Sequence, residues 1–311
     1  MLTRLRCCDE APGFVVCRAD EPADWLDLET PDQEELAALT AELGLPPSFL
    51  ADPLDPRERP RLDVENEAAM VIIRAPYLAQ APDGPAFATV PLGLVVVDRV
   101  VLTVCSRPGL VREIMGRWSR KPRPSSHFKM LIKILIESSA DFMRHLELME
   151  DVTDLAENSL AKAQHNEQIM TLLSIDKALI NYTVALKSNR DIMSKLSDGI
   201  IFKFSAEEAD WLDHAMTENQ QAIYMADIFG QVLGSLSDAF GTIINNNLNK
   251  IMKFLTGMTI ILMVPTLIVG AYGMNLELPL TKNHWAFWTI MALCLLLSGS
   301  LWVFFLRKRW L

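Results

Sequence analysis

Stepping alternately four and three residues from Gln231 along the 311-residue chain gives Ser235, Asp238, Thr242, Asn245, Asn249, Met252, Thr256, Thr259, Met263, Thr266, Gly270 and Gly273, each polar, small or methionine. Beside this edge runs an apolar stripe of Phe229, Leu233, Leu236, Phe240, Ile244, Leu248 and Ile251. A 3.5-residue period sustained over six heptads is the pattern of parallel helices wound left-handedly about a common axis. The chemistry of the edge is hydrogen-bond acceptance by hydroxyls, amides and one carboxylate, with no nucleophile beside a base. It ends at Tyr272-Gly273-Met274-Asn275. Gly273 suits the left-handed conformation that closes a helix, and Asn275 then offers a neutral carbonyl oxygen. Repeated around an axis, such oxygens accept hydrogen bonds from the water shell of a divalent cation without stripping it.

The element that must position these residues is a single long helix. Ser205 and Glu208 form an S-x-x-E capping box, and no proline follows until Pro265. A helix from Ser205 to Tyr272 would be about 100 Å long. Its last part lies in the uncharged run Phe254 to Leu276, and a second uncharged run spans Trp285 to Leu306. Each can cross a hydrocarbon layer of roughly 30 Å. Lys250 and Lys253 before the first run, and Arg307, Lys308 and Arg309 after the second, place both chain ends in the cytoplasm, with "NLELPLTKNH" outside. Trp285, Trp288, Trp302 and Trp310 read as interfacial anchors. Besides lining a pore, a polar edge can be a face turned to water, or a surface for close helix packing with each threonine bonded back to its own helix. The water-facing role fails where the edge enters lipid, because Thr256, Thr259 and Thr266 want protein neighbours or a wet cavity there. Pro265 removes a backbone bond within the span and is expected to bend or hinge it.

The rest of the chain supplies the support. "AAMVIIRAPYL" reads as a strand and "ATVPLGLVVVDRVVLTVCSR" as two strands joined near Asp98-Arg99, with a loop in "LADPLDPRERPRLD". From Ser125 to Gly199 the composition is helical. Glu137, Asp141, Glu147, Glu150, Asp151, Asp154 and Glu157 form an acidic run, read as a solvated face or as a surface that gathers cations. Cys7, Cys8, Cys17, Cys105 and Cys294 lack the paired spacing of a zinc site and read as reduced thiols. The five histidines are dispersed, no catalytic or phosphate-binding motif occurs in a credible context, and a net charge of −10 argues against nucleic-acid binding. The expectation is a protein that is not an enzyme and has no organic cofactor.

"YGMN" directly after the first of two C-terminal spans, then a short loop, a second span and the basic ending "RKRWL", resembles the CorA family of divalent-cation channels, most clearly from Asp238 to Leu311. The resemblance implies an α+β membrane protein: an N-terminal cytoplasmic α/β domain, and a helical stalk continuous with the first of two C-terminal transmembrane helices, assembled as a homopentameric funnel in the inner (plasma) membrane. The corresponding divisions are 1–124 (α/β domain), 125–204 (helical region), 205–253 (stalk), 254–274 (pore-lining span), 275–284 (outer loop), 285–306 (second span) and 307–311 (basic tail). Carried over residue by residue, Gly273, Met274 and Asn275 form the entrance, with Thr266 and Met263 below it. Leu255, one position off the edge, matches a hydrophobic constriction, Asn249 an inner polar ring and Asp238 an acidic ring; Thr259, Thr256, Met252 and Asn245 line the same path. The implied partners are further copies of the chain, the bilayer and divalent cations. Mg²⁺ is the implied transported ion, with Co²⁺ or Ni²⁺ as further ions, and in the family Mg²⁺ is also a gating ligand. The outer loop departs from the family pattern: Glu277 and Pro279 are present, but leucine replaces the later acid and Lys282 adds positive charge. This keeps a zinc transporter of the same superfamily open, beside a membrane-anchored sensor or scaffold. For the family's regulatory metal, the stalk acid falls at His214, with Asp210 and Asp213 beside it.

Overall fold

The apolar runs of the first 105 residues become strands because their side chains alternate between two buried faces. In a computed structural model of the chain, the described residues are 2–7, 14–17, 21, 23–65, 68–81, 84–98, 100–116, 126–160, 165–274, 285–308 and 310. They fall into two units, Met1–Leu233 and Gly234–Leu311. The first holds seven strands: β1 (Leu2–Cys7), β2 (Phe14–Val16), β3 (Trp25–Glu29), β4 (Arg61–Glu65), β5 (Ala68–Ala81), β6 (Gly84–Val97) and β7 (Val100–Cys105). They form one sheet in the order β2-β1-β3-β7-β6-β5-β4, antiparallel except for the parallel pair β3 and β7. The expected β6–β7 hairpin is present, with Val97 paired to Val100 and Asp98 at φ 51°. Arg99 lies outside the described residues.

Helices cover both faces of the sheet. Val71 and Ile73 of β5, with Leu92 and Leu94 of β6, meet Leu131 and Leu135 of α4 (His127–Leu160) and Leu196 of α5 (His165–Ser197). Met70, Ile72, Val95 and Leu102 point the other way, onto Leu39 of α1 (Gln33–Leu43) and Phe49 and Leu50 of α2 (Pro47–Ala51). The segment expected to be a loop at residues 50–63 instead contains the end of α2, a 3₁₀ turn at Asp52–Leu54 and the start of β4. Pro53 of that turn explains Gly93 in the middle of β6: a Cβ there would lie 2.5 Å from the Pro53 ring.

β5 runs past the end of β4, whose pairing reaches only from Ala68 to Ile72. Asn189 of α5 takes over at the open edge, accepting from the Arg74 backbone N–H at 2.9 Å and donating to the Arg74 carbonyl at 2.8 Å. One side chain thus reproduces the pairing of a missing strand residue. The Arg74 guanidinium extends to the carbonyls of Glu58 and Thr89. Among the described residues, three helices are long and apolar enough to cross a membrane: Ile169–Ser197 within α5, α6 (Ala206–Tyr272) and α7 (Ala286–Arg307). Of the most apolar stretch of each, 39% is buried in α5 against 11% in α6 and in α7. With Asn189 held against β5, α5 is a core helix.

The acidic run on α4 is divided by the fold. Glu137 and Asp141 are buried, the first 2.5 Å from the Lys133 ammonium and the second paired with Arg144. Glu147, Glu150, Asp151, Asp154 and Glu157 are exposed. Cys105 is buried and its thiol is pushed up to about 11, chiefly by burial, so it stays protonated. Cys294 is also buried, Cys17 is half-buried, Cys8 lies outside the described residues and Cys7 is described in its backbone alone.

Opposite Thr103 on the sheet, Asp27 is fully buried. Its Oδ1 accepts from Thr103 Oγ1 at 2.7 Å, while Oδ2 has no hydrogen-bond partner among the described residues. Neighbouring Glu29 accepts from the Gly109 N–H and from Arg112, each at 2.7 Å, and so fixes the start of α3 (Leu110–Gly116). Burial, aided by Glu29, pushes the Asp27 carboxyl from 3.8 up to about 6 despite the Thr103 bond.

These buried polar groups set measurable stabilities. Asn189→Ala leaves the Arg74 edge groups unpaired and should destabilise the fold by about 2 kcal/mol, measured as a lowered midpoint of denaturation in detergent. For Asp27, a pKa raised on folding means a contribution to stability that is complete below 3.8 and lost as pH rises through about 6. Asp27→Asn should therefore raise the melting temperature at neutral pH and flatten its pH dependence, with the advantage over wild type vanishing toward pH ~4.

Candidate functional site

The capping box forms as its spacing requires. The Ser205 N–H and Oγ donate to Glu208 Oε2 at 2.9 and 2.8 Å, and the Glu208 N–H returns to Ser205 Oγ at 3.3 Å. From this start α6 is one helix of 67 residues, matching the stretch expected from the absence of proline before position 265. Pro265 lies inside it.

On the single chain every residue of the polar edge, from Gln231 through Asp238, Asn245, Asn249, Met252, Thr256, Thr259, Met263, Thr266 and Gly270 to Gly273, is exposed. Leu255, one position off the edge, is 61% exposed. Within Gly234–Leu311, the opposite side of α6 is the covered one. Gly257 and Ile261 are buried and Val264, Pro265, Ile268 and Tyr272 are half-buried, while Ser298 Oγ of α7 lies 3.4 Å from the Ile261 carbonyl. At about 100° per residue, Thr259 and Ile261 point in nearly opposite directions. α6 therefore turns one face to α7 and presents the polar edge on the other.

Three threonines of the edge, Thr242, Thr259 and Thr266, share one arrangement. Thr242 Oγ1 donates to the Asp238 carbonyl at 3.1 Å, Thr259 Oγ1 to Leu255 at 2.8 Å and Thr266 Oγ1 to Leu262 at 2.8 Å. With the hydroxyl proton engaged in its own helix, each of these three threonines turns only acceptor lone pairs outward. This is the back-bonding expected of close helix packing, and it equally suits an edge that receives hydrogen bonds from hydrated cations. An open groove beside these residues is lined by Thr259, Leu262, Met263, Thr266 and Leu267.

At the end of α6, Gly273 does not adopt the left-handed conformation: among the described residues the positive-φ glycines are Gly44, Gly109 and Gly199. The helix closes instead by tightening, with the Gly273 N–H on the Val269 carbonyl at 2.9 Å and the Met274 N–H on Ala271 at 3.3 Å. Glycine permits a left-handed residue but does not impose one, and the closing turn satisfies its donors without it. Met274 is 58% exposed. Asn275, Glu277 and Lys282 lie outside the described residues.

Asp210 and Asp213 are exposed on α6, and His214 Nε2 is 3.8 Å from Glu218. Among the described residues of one chain, no three His, Cys, Asp or Glu side chains are placed to hold a metal. Lys250, Lys253, Arg307 and Lys308 are exposed, as are Trp285, Trp288 and Trp302, while Trp310 stacks on Phe305. Ser298 does not stand out in the sequence, because a serine in an apolar run, with Ser300 two positions on, makes no pattern that singles it out. The one signal toward it is Pro265, which leaves a carbonyl in need of a donor from elsewhere.

The family described as CorA-like Mg²⁺ transporter protein matches residues 20–309. The cobalt/magnesium transport protein CorA of Methanocaldococcus jannaschii is 28% identical over 295 residues, covering 92% of this chain and 91% of that protein. The protein of the same description from Thermotoga maritima is 24% identical over 193 residues, covering 62% of this chain and 54% of its own length. The complete structure of the M. jannaschii CorA magnesium transporter superposes with a TM-score of 0.83 at 26% identity, covering 100% of this chain and 99% of that one. With the match extending over both the sheet-bearing unit and the two C-terminal helices, this chain belongs to the CorA-like Mg²⁺ transporter family.

Proposed function

We propose that the protein is a homo-oligomeric, pentameric channel that passes Mg²⁺, and Co²⁺ beside it, down the electrochemical gradient through a central path lined by α6. The observation that carries this reading is the exposure of the whole polar edge of α6 on the single chain while the opposite face is turned to α7. A span cannot leave threonines against acyl chains when protein or water is an alternative, and copies of α6 around an axis supply both. Membership of the CorA-like family and the names of the two curated relatives support the ion class.

In this reading Asn275, with Gly273 and Met274, forms the outer entrance, and its amide oxygens accept hydrogen bonds from the hydrated ion. Thr266, Met263, Thr259 and Thr256 continue the path, Leu255 narrows it, and Met252, Asn249, Asn245 and Asp238 lead to the cytoplasm. Lys250, Lys253, Arg307 and Lys308 hold both chain ends on the cytoplasmic side of the inner membrane. Inward flow gains about 2.3 kcal/mol per charge for each 100 mV of potential. Asp210 and Asp213 would bind a regulatory cation with ligands from a neighbouring copy, since the described residues of one chain do not complete a set.

Asn275→Ala should abolish Mg²⁺ uptake into proteoliposomes while leaving membrane assembly intact, and flux at the wild-type rate would remove the proposed entrance. Adding Zn²⁺ as a competitor in the same assay separates the magnesium channel from a zinc transporter. Thr266→Val, which keeps shape but removes the acceptor oxygen, should slow flux about tenfold, a loss on the order of one charge-assisted hydrogen bond. Thr266→Ser should retain flux, and equal rates in the two variants would show that the hydroxyl oxygen does not meet the ion's water.

A further inference from the structure

A proline inside a helix leaves the carbonyl four residues earlier without its donor. In α6 the proline is Pro265 and the carbonyl is that of Ile261. In hydrocarbon such a group must find another donor, and a serine or threonine of a neighbouring helix is one source. Ser298 of α7 occupies that position, with Oγ 3.4 Å from the Ile261 carbonyl oxygen, Ile261 buried and Ser298 half-buried. The nearest hydroxyl along α6 is already engaged, since Thr266 Oγ1 donates to Leu262.

We infer that Ser298 is a positioning residue for the ion path: its hydroxyl replaces the hydrogen bond that Pro265 removes and so fixes the direction in which the edge from Thr259 to Thr266 faces. The positioning role rests on the channel reading above, whereas the bond itself does not. The side chains that α7 buries, Cys294 and Phe305, are apolar, and apolar burial carries no directional preference. A directional bond beside the proline supplies what such contacts lack. Its length is beyond the 2.5–3.0 Å usual for a hydroxyl donor, so a small rotation of α6 can make or break it.

The test uses the full-length protein in lipid, labelled with ¹³C-carbonyl isoleucine and ¹⁵N-leucine. Ile-Leu occurs at Ile134-Leu135 and Ile261-Leu262, which gives the spectrum an internal control in α4. Ser298→Ala should move the Ile261 carbonyl signal toward that of an unbonded amide and leave Ile134 in place. Ser298→Thr should restore it, as should Pro265→Ala combined with Ser298→Ala, where the helix regains its own N–H. Mg²⁺ flux should change about threefold or more on Ser298→Ala in the Pro265 protein, and not at all in the Pro265→Ala background. An unmoved Ile261 signal would overturn the bond. A moved signal with equal flux effects in both backgrounds would overturn the positioning role. Absence of Mg²⁺ flux in the wild type would sink the channel reading, and that role with it, while leaving the bond standing.

Discussion

Polar groups in a membrane must be answered by other polar groups, and this requirement organises the C-terminal unit. Phe254 to Leu276 contains threonines and a proline among aliphatic residues, so it cannot be an anchor that is apolar all round. The protons of Thr259 and Thr266 are engaged within α6, and the carbonyl freed by the proline lies against α7. What remains is a row of acceptor oxygens on one side. α7 reaches the opposite side, and in the proposed channel symmetric copies of the same helix, with the water between them, meet that row.

Charge is divided between the two units. Residues 1–233 carry 37 Asp and Glu against 23 Lys and Arg, whereas residues 234–311 carry two acids against six bases. The net charge of −10 is thus the balance of a strongly acidic unit and a basic one. Not all of the acids are available to a cation. Glu137 and Asp141 lie inside the first unit against their own bases, and Glu29 holds the start of α3. The exposed carboxylates toward the end of α4 are the part of the run that solution ions can reach.

Legibility in the sequence follows the range of the interactions. The capping box of Ser205 and Glu208, the β6–β7 turn and the two apolar spans depend on neighbours along the chain, and each can be read directly. The polar edge is legible because a helix converts a 3.5-residue spacing into a single face. The parallel pairing of β3 with β7 is hidden, since nothing in Trp25–Glu29 points to a partner some 75 residues away. The substitution of Asn189 for a strand residue is likewise hidden, because it depends on where β4 stops. Gly273 shows the converse error: freedom at φ is not the same as a left-handed conformation. Ser298 illustrates a third case, in which the demand is visible at Pro265 but the supplier becomes apparent only when two helices are side by side.

The capping box has a reach beyond α6. Besides accepting from Ser205, Glu208 accepts from Ser126 Oγ at 2.5 Å, and Ser126 in turn takes the Lys129 N–H at 3.1 Å at the start of α4. Burial opposes the charge on Glu208, but the bonds from Ser126 and Ser205 outweigh it and hold the carboxyl below the usual carboxylate range. A single carboxylate therefore secures the first turns of two helices that begin some 80 residues apart in the chain. Neither turn can fray without loosening the other, so the two melt as one cooperative segment, with the long helix anchored at its origin to the layer that covers the sheet.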